Sequence, residues 1–311
     1  MTETDLGLWA IPIAILGGAI RVSTPFMFVS LGEVLTERSG RFNLGLEGTL
    51  IFGAMTGYAA AYETGSPLIG IMAAAFTGGL FGLFHGLVCS LPRVNDIAIG
   101  IALMLLGMGL AFFFGKPYIQ PVAPDLPSIE FGWWSVIPQV KAALRVNVLF
   151  IVGIFAAIGL WWMFFATRIG LLIRVVGDST SAARAMGLRP VLIRTVATAI
   201  GGAFAGIGGA YLSLFYPGSW NEGISSGQGL MAVALVIFAR WNPIACIWAA
   251  ILFGGAGALG PALQSVGISD GYYLFYAAPY VLTLSVLIFT SSPTRAMAVS
   301  YTHLTLPTTC T

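Results

Sequence analysis

Residues 167–194 read TRIGLLIRVVGDSTSAARAMGLRPVLIR, and this stretch decides how the rest of the chain is arranged. Five arginines (Arg168, Arg174, Arg184, Arg189, Arg194) bracket a run of very small residues, while the sequence on either side is strongly apolar. Loops on the cytoplasmic side of a membrane keep an excess of Lys and Arg, so this segment reads as such a loop between membrane spans. Within it, Asp178 is expected to cap a helix N-terminus and Gly187 to end the helix in the left-handed conformation. The short helix between them would present Ala182, Ala183, Ala185 and Met186 as a small, smooth surface. Two readings of that surface stay open: a knob lying in another protein's groove, or a helical turn resting at the lipid interface.

Working outward, 58% of the 311 residues are hydrophobic and only 8% are charged, with a mean hydropathy of +0.91. A soluble domain carries about a quarter charged residues, so the composition describes an integral membrane protein and excludes large water-soluble domains. Nucleic acid is not an expected partner, and membrane lipid is. Apolar runs near 8–31, 44–62, 68–91, 96–114, 146–166, 192–215, 226–239, 244–262 and 272–290 give about nine spans, within a range of eight to ten. The run 226–239 is short for a span and is expected to extend or re-enter. The fold class expected is therefore all-α, a polytopic transmembrane helix bundle.

If 167–194 is cytoplasmic, the same side receives Arg38, Arg41, Arg93, Arg240 and Arg295, and the other side only Lys116, Lys141 and Arg145. That bias places the N-terminus outside and the C-terminus inside. Arg21 falls inside the first span, where snorkelling to an interface is its expected escape. Acidic residues at the N-terminus and the interruption at Arg21 argue against a cleavable signal peptide.

Small residues recur at every fourth position in two spans, as Gly78, Gly82, Gly86 and as Gly202, Gly206, Ala210, a pattern that lets helix backbones approach closely. The connection Gly32–Gly48 is polar for this chain, with Glu33, Glu37 and Glu47 among Arg38, Arg41 and Asn43. A catalytic acid cluster is one reading; interleaved basic residues favour internal ion pairing. Trp133 and Trp134 in the loop 115–145 read as interfacial anchors. The connection 216–229, YPGSWNEGISSGQG, offers Trp220, Asn221, Glu222 and Gln228 as candidate external docking or gating residues.

Chemistry is otherwise sparse. There is no GxxxxGK[ST] or HExxH, and the only lysines are Lys116 and Lys141. No catalytic residue and no metal site is expected; His85 reads as structural, and Cys89, Cys246 and Cys310 lack metal or disulfide spacing.

Two stretches carry a resemblance. Residues 31–48, LGEVLTERSGRFNLGLEG, and 177–187, GDSTSAARAMG, followed by AIGGAFAGIGGAYLSL at 199–214, resemble the permease subunits of bacterial ABC importers, in the branch of ribose, branched-chain amino acid and nucleoside permeases. The resemblance covers roughly residues 20–290, and 31–48 looks like the nucleoside and simple-sugar group. It implies one permease domain over 1–290 in a bacterial inner membrane. It also implies a second permease subunit, identical or homologous, and an external solute-binding lipoprotein or periplasmic protein. Cytoplasmic P-loop ATPase subunits would use ATP and Mg and grip the 178–187 helix, with no cofactor bound by this chain. Asp178, Ala182, Ala183, Arg184, Met186 and Gly187 would carry that coupling. Glu33, Glu37, Arg38, Asn43 and Glu47 would form a structural or gating element. An ion-coupled secondary carrier for a small polar solute is the alternative. The Thr-rich tail 291–311 departs from the family and is expected to be disordered or non-native.

Overall fold

The computed structural model describes residues 10–265 and 271–290; the tail 291–311, with His303 and Cys310, lies outside them. Helix α1 (Ala10–Arg38) is followed by α2 (Leu46–Thr64), α3 (Pro67–Val88) and α4 (Asp96–Gly115). The next connection carries two three-residue strands, β1 (Ser128–Glu130) and β2 (Arg145–Asn147), paired antiparallel with Ser128 opposite Asn147, and the short helix α5 (Pro138–Ala143) between them. Then come α6 (Val148–Ala166), α7 (Arg168–Asp178), α8 (Thr180–Ala185), α9 (Pro190–Leu214), α10 (Gln228–Phe238), α11 (Pro243–Ser265), α12 (Tyr272–Tyr276) and α13 (Ala278–Thr290). The helical bundle is as expected from the sequence, apart from this small hairpin.

Among the described residues, six helices are long and apolar enough to cross a membrane: α1, α3, α4, α6, α9 and α11. That is fewer than the eight to ten spans read from hydropathy. The other apolar runs became α2, the 11-residue α10, and the broken pair α12 and α13.

The core of the bundle is α9 with α3, α2 and α1 against it. The two small-residue stripes meet each other. A Cβ on Gly78 would run into the Gly202 carbonyl, and one on Gly82 into the Thr198 carbonyl. Lipid tails are as apolar as leucine, so helices in a membrane gain little from hiding apolar side chains from each other. Close backbone packing takes over that role. The lipid-facing surface agrees: Phe76, Leu105, Phe113, Phe155 and Trp162 are exposed large hydrophobics.

Contacts sort the connections into two ends. At one end Arg41 pairs with Asp96 (2.8 Å), Arg194 reaches the Ser39 carbonyl (3.0 Å) and Arg38 reaches the Trp241 carbonyl (3.0 Å). This arginine-rich end holds Arg38, Arg41, Arg93, Arg168, Arg174, Arg184, Arg189, Arg194 and Arg240. At the opposite end Tyr58 donates to Pro121 O (2.7 Å), Trp220 to Gly115 O (2.9 Å), and Arg21 to Ala142 O. Arg21 is thus held by the folded loop before β2, and it lines a charged cleft with Asp125, Glu130, Lys141 and Arg145.

Helix α10 is a half-helix. Eleven residues rise about 16 Å, half of a hydrocarbon core of about 30 Å. Its start, Gly229, packs on Glu47, and the neighbouring Gly48 packs on Met104 and Gly107 half-way along α4. Its far end leads to Trp241 at the arginine-rich end. The segment before it therefore dips into the membrane from the opposite end, the re-entry that the short apolar run suggested.

Gly78→Leu is expected to force α3 off α9 and destabilise the protein by about 1–3 kcal/mol, the usual range for overpacking. Gly109→Leu, at a position with no neighbour within 4 Å, should leave the thermal midpoint in detergent unchanged. A pair of melting curves checks this.

Candidate functional site

The arginine-rich end is built around α7 and α8. Thr167 caps α7, its hydroxyl accepting from Gly170 N (3.2 Å), and Ile173 and Val176 bury its apolar face. Asp178 closes α7 and does not cap the next helix as expected. Ser179 does, accepting from Ala182 N at 3.2 Å, because the chain turns extended at Ser179 and puts its hydroxyl over the open amides. Helix α8 is six residues long, and Gly187 at φ 76° ends it, with Leu188 N bonded to Ala183 O (3.0 Å). Ala182, Arg184, Ala185 and Met186 are exposed. Ala183, expected on that surface, is fully buried.

The α7–α8 corner is stapled to the connection between α1 and α2. The Arg194 guanidinium donates to Ser39 O (3.0 Å) and Val176 O (3.0 Å) at once. Gly177 lies on the Arg38 carbonyl, and Gly40, at φ 86°, lies on Gly177.

The polar stretch 33–47 differs from its expected form. Glu33, Glu37 and Arg38 sit on the last turns of α1, and the acidic residues do not pair with the arginines between them. Glu33 accepts from Asn43 N (2.9 Å), and Asn43 in turn accepts from Gly45 N (2.9 Å). Glu37 accepts from the Trp241 indole, and the Arg38 guanidinium lies 5.7 Å from the Phe164 ring centre. Glu47 accepts from the Ser225 hydroxyl, Gly227 N (3.0 Å), Gly229 N (2.6 Å) and Leu230 N (3.3 Å). Buried backbone amides without a helical partner demand acceptors, and the carboxylates supply them. Arg41–Asp96 is the one ion pair found among the described residues.

A cavity of about 440 Å³ opens between α1, the connection 215–227, α10, α11 and the α12–α13 pair. Phe26, Asn221, Ser226, Gln228, Tyr276 and Tyr280 are among its walls, and among the described residues none that lines it is charged. The volume suits a small organic solute. Gln228 Oε1 is buried without a hydrogen-bond partner. Tyr280 and Tyr276 hold Ser226 through its carbonyl (2.8 Å) and hydroxyl (3.1 Å). Of the four residues expected to dock an external partner, Asn221 and Glu222 are exposed, but Trp220 is 1% exposed, anchored to Gly115 under α4, so it cannot serve. Gln228 faces the cavity.

His85 bonds Phe42 O through Nε2 (3.1 Å), and Cys89 Sγ lies 3.5 Å away. With Asp96 they offer three ligand atoms within 4.8 Å of one another. Arg41 already occupies Asp96, and its charge opposes a cation there; burial pushes the Cys89 thiol up to about 12. The cluster therefore ties α3 to α4.

The sequence matches the family described as "Branched-chain amino acid transport system / permease component" over residues 7–290. The chain belongs to that permease family. A putative glucose ABC transporter permease protein of Haloferax volcanii is 32% identical over 94% of this chain and 88% of its own. A guanosine ABC transporter permease protein of Bacillus subtilis is 30% identical, with 85% and 88% covered. A nucleoside ABC transporter permease protein of Lactococcus lactis is 29% identical, again with 85% and 88% covered. No solved structure matches.

Several residues of the permease site were not readable as such. Trp241 takes both Glu37 and Arg38, Ser225 and the 227–230 amides take Glu47, and Tyr276 and Tyr280 wall the cavity. None has a local motif; only the isolated Trp beside Arg240, at a helix end, hinted at a role. Arg194→Ala should remove two charge-assisted bonds of about 1.5–3 kcal/mol each at most and lower the melting midpoint of the purified permease. Arg184→Ala, on the exposed face of α8, should leave it unchanged.

Proposed function

We propose that this permease is the membrane subunit of an ATP-driven importer that moves nucleosides or simple sugars inward. On this reading a second permease subunit completes the pathway. Cytoplasmic ATPases grip the exposed face of α8 while using ATP and Mg, and an external solute-binding protein delivers the solute to the end bearing Asn221 and Glu222.

The observation that carries the reading is the unbroken set of contacts from α8 to the cavity. α8 is fixed to α7 and α9, Arg194 fixes that corner to Ser39, the connection leads to Glu47, and Glu47 holds the start of α10 beneath the cavity. A push on α8 is therefore carried to the walls of the solute path. The names of the relatives favour nucleosides and glucose as substrates, and the uncharged, partly aromatic cavity fits such solutes.

The test is ATP-driven uptake of guanosine and of glucose by the complete transporter, together with identification of what co-purifies in mild detergent. A P-loop ATPase should co-purify. Gly187→Trp puts a bulky side chain at a position that needs φ 76° and faces open space. It should leave the bundle assembled and reduce uptake at least about tenfold, as a barrier of 1.4 kcal/mol would. Normal uptake in that variant would remove α8 from the mechanism. Uptake driven by an ion gradient, with no ATPase present, would favour the secondary carrier.

A further inference from the structure

Glu47 is the second residue of α2 and is 4% exposed, yet it has no cationic partner among the described residues. Its depth is set by its neighbour Gly48, which touches Met104 and Gly107 at the middle of α4. A carboxylate within a membrane span is costly unless its charge is answered locally. The answer here is the N-terminus of α10. Oε1 takes the Ser225 hydroxyl and Gly227 N, while Oε2 takes Gly229 N and Leu230 N. Both oxygens act as acceptors, the role of an ionised carboxylate, and the aligned peptides of α10 supply a positive end of about half a charge.

The same N-terminus floors the cavity: Ser226, Gln228 and Met231 belong to both. Left open, a half-helix start beneath a polar cavity would draw an anionic solute. The protein has filled that position with its own carboxylate, and the described residues of the cavity walls are uncharged.

We propose that Glu47 is a specificity-determining residue: an internal counter-anion that occupies the anion site of α10 and so keeps anionic solutes out of the cavity while admitting neutral polar ones. This rests on the reading of the cavity as the solute path. Discrimination then comes from repulsion of the wrong ligand as much as attraction of the right one. A phosphorylated sugar or nucleotide would meet a like charge beneath it and, among the described lining residues, no positive side chain above. A nucleoside or sugar would meet the amide of Gln228, the hydroxyl of Ser226 and the rings of Tyr276 and Tyr280.

The test reads the charge preference of the cavity directly. Ser226→Cys places a thiol on its wall, in a chain that also carries Cys310→Ser; Cys89 and Cys246 are buried. The modification rates by an anionic reagent, sulfonatoethyl methanethiosulfonate, and a cationic one, trimethylammonioethyl methanethiosulfonate, are compared in detergent without ATP. With Glu47 present the cationic reagent should be favoured. Glu47→Gln should shift the ratio toward the anion by about tenfold, the scale of one unit charge acting at a partly desolvated site. Glu47→Asp should keep the original preference. An unchanged ratio in a folded Glu47→Gln protein overturns the proposal.

Should Glu47→Gln not fold, the parent protein still decides. The anion-to-cation ratio at Ser226→Cys should be about fivefold lower than at Val122→Cys, an 82% exposed reference site. Equal ratios overturn it. Because labelling needs neither substrate nor ATPase, this outcome is independent of the uptake assay, whose failure would strike the transport reading instead.

Discussion

The constraint on which the rest of the structure depends is the direct approach of the α3 backbone to the α9 backbone. Gly78 and Gly82 lie on the carbonyls of Gly202 and Thr198, and Gly206 lies on that of Ala74. In lipid, apolar side chains give little reason for one helix to choose another, so a contact that only glycine permits fixes partner, register and distance together. α2 joins the same face where Gly53 meets Gly206. With those three helices locked, the remaining elements have a fixed frame to be attached to.

What is attached is polar and concentrated at element ends. Arg194 bridges two carbonyls from different connections, Glu33 and Glu47 collect amides that no helix satisfies, and Glu37 with Arg38 fixes Trp241. Each is a polar group buried beside the groups it answers, so breaking one strands a donor or acceptor where water cannot replace it. These attachments make α7–α8, the connection 39–45 and the start of α10 move with the frame. On the proposed reading, a subunit built this way would transmit force by moving as one body against its neighbour, the mode by which rigid repeats rock around a fixed site in other transporters.

Much of this was legible in the sequence, for physical reasons. Apolar runs located all the long helices, because a span needs a length and a composition that few other elements share. The i, i+4 glycines named the two faces that pack on each other. Gly187 announced its turn, since a left-handed residue favours glycine. Other features were not legible because they depend on partners far away in the chain. The charges of 33–47 looked like pairs when read locally, whereas Glu47 is answered at 225–230, Glu37 and Arg38 at Trp241 and Arg41 at Asp96, and only Glu33 finds its partner nearby, in Asn43. Ser179 and Asp178 were equally able to cap α8, and only the bend at Ser179 decides between them. Trp220 looked available in a polar loop, but the loop re-enters and buries it. The count of about nine spans is not confirmed: α10 and the α12–α13 pair are apolar but short or interrupted, and α2, unbroken over 19 residues, is less apolar than the six long helices.

On the proposed reading one subunit moves as a rigid unit from α7 to the far end of α3. The most direct measurement is the distance between spin labels at Leu171→Cys on α7 and Leu68→Cys at the start of α3, both exposed positions. The assembled transporter should carry one labelled copy and be examined with and without trapped ATP. The account predicts the same distance distribution in both states, while a distance between the two permease subunits changes. A shift of Leu171 relative to Leu68 within a single chain, with the subunits holding their separation, would contradict it.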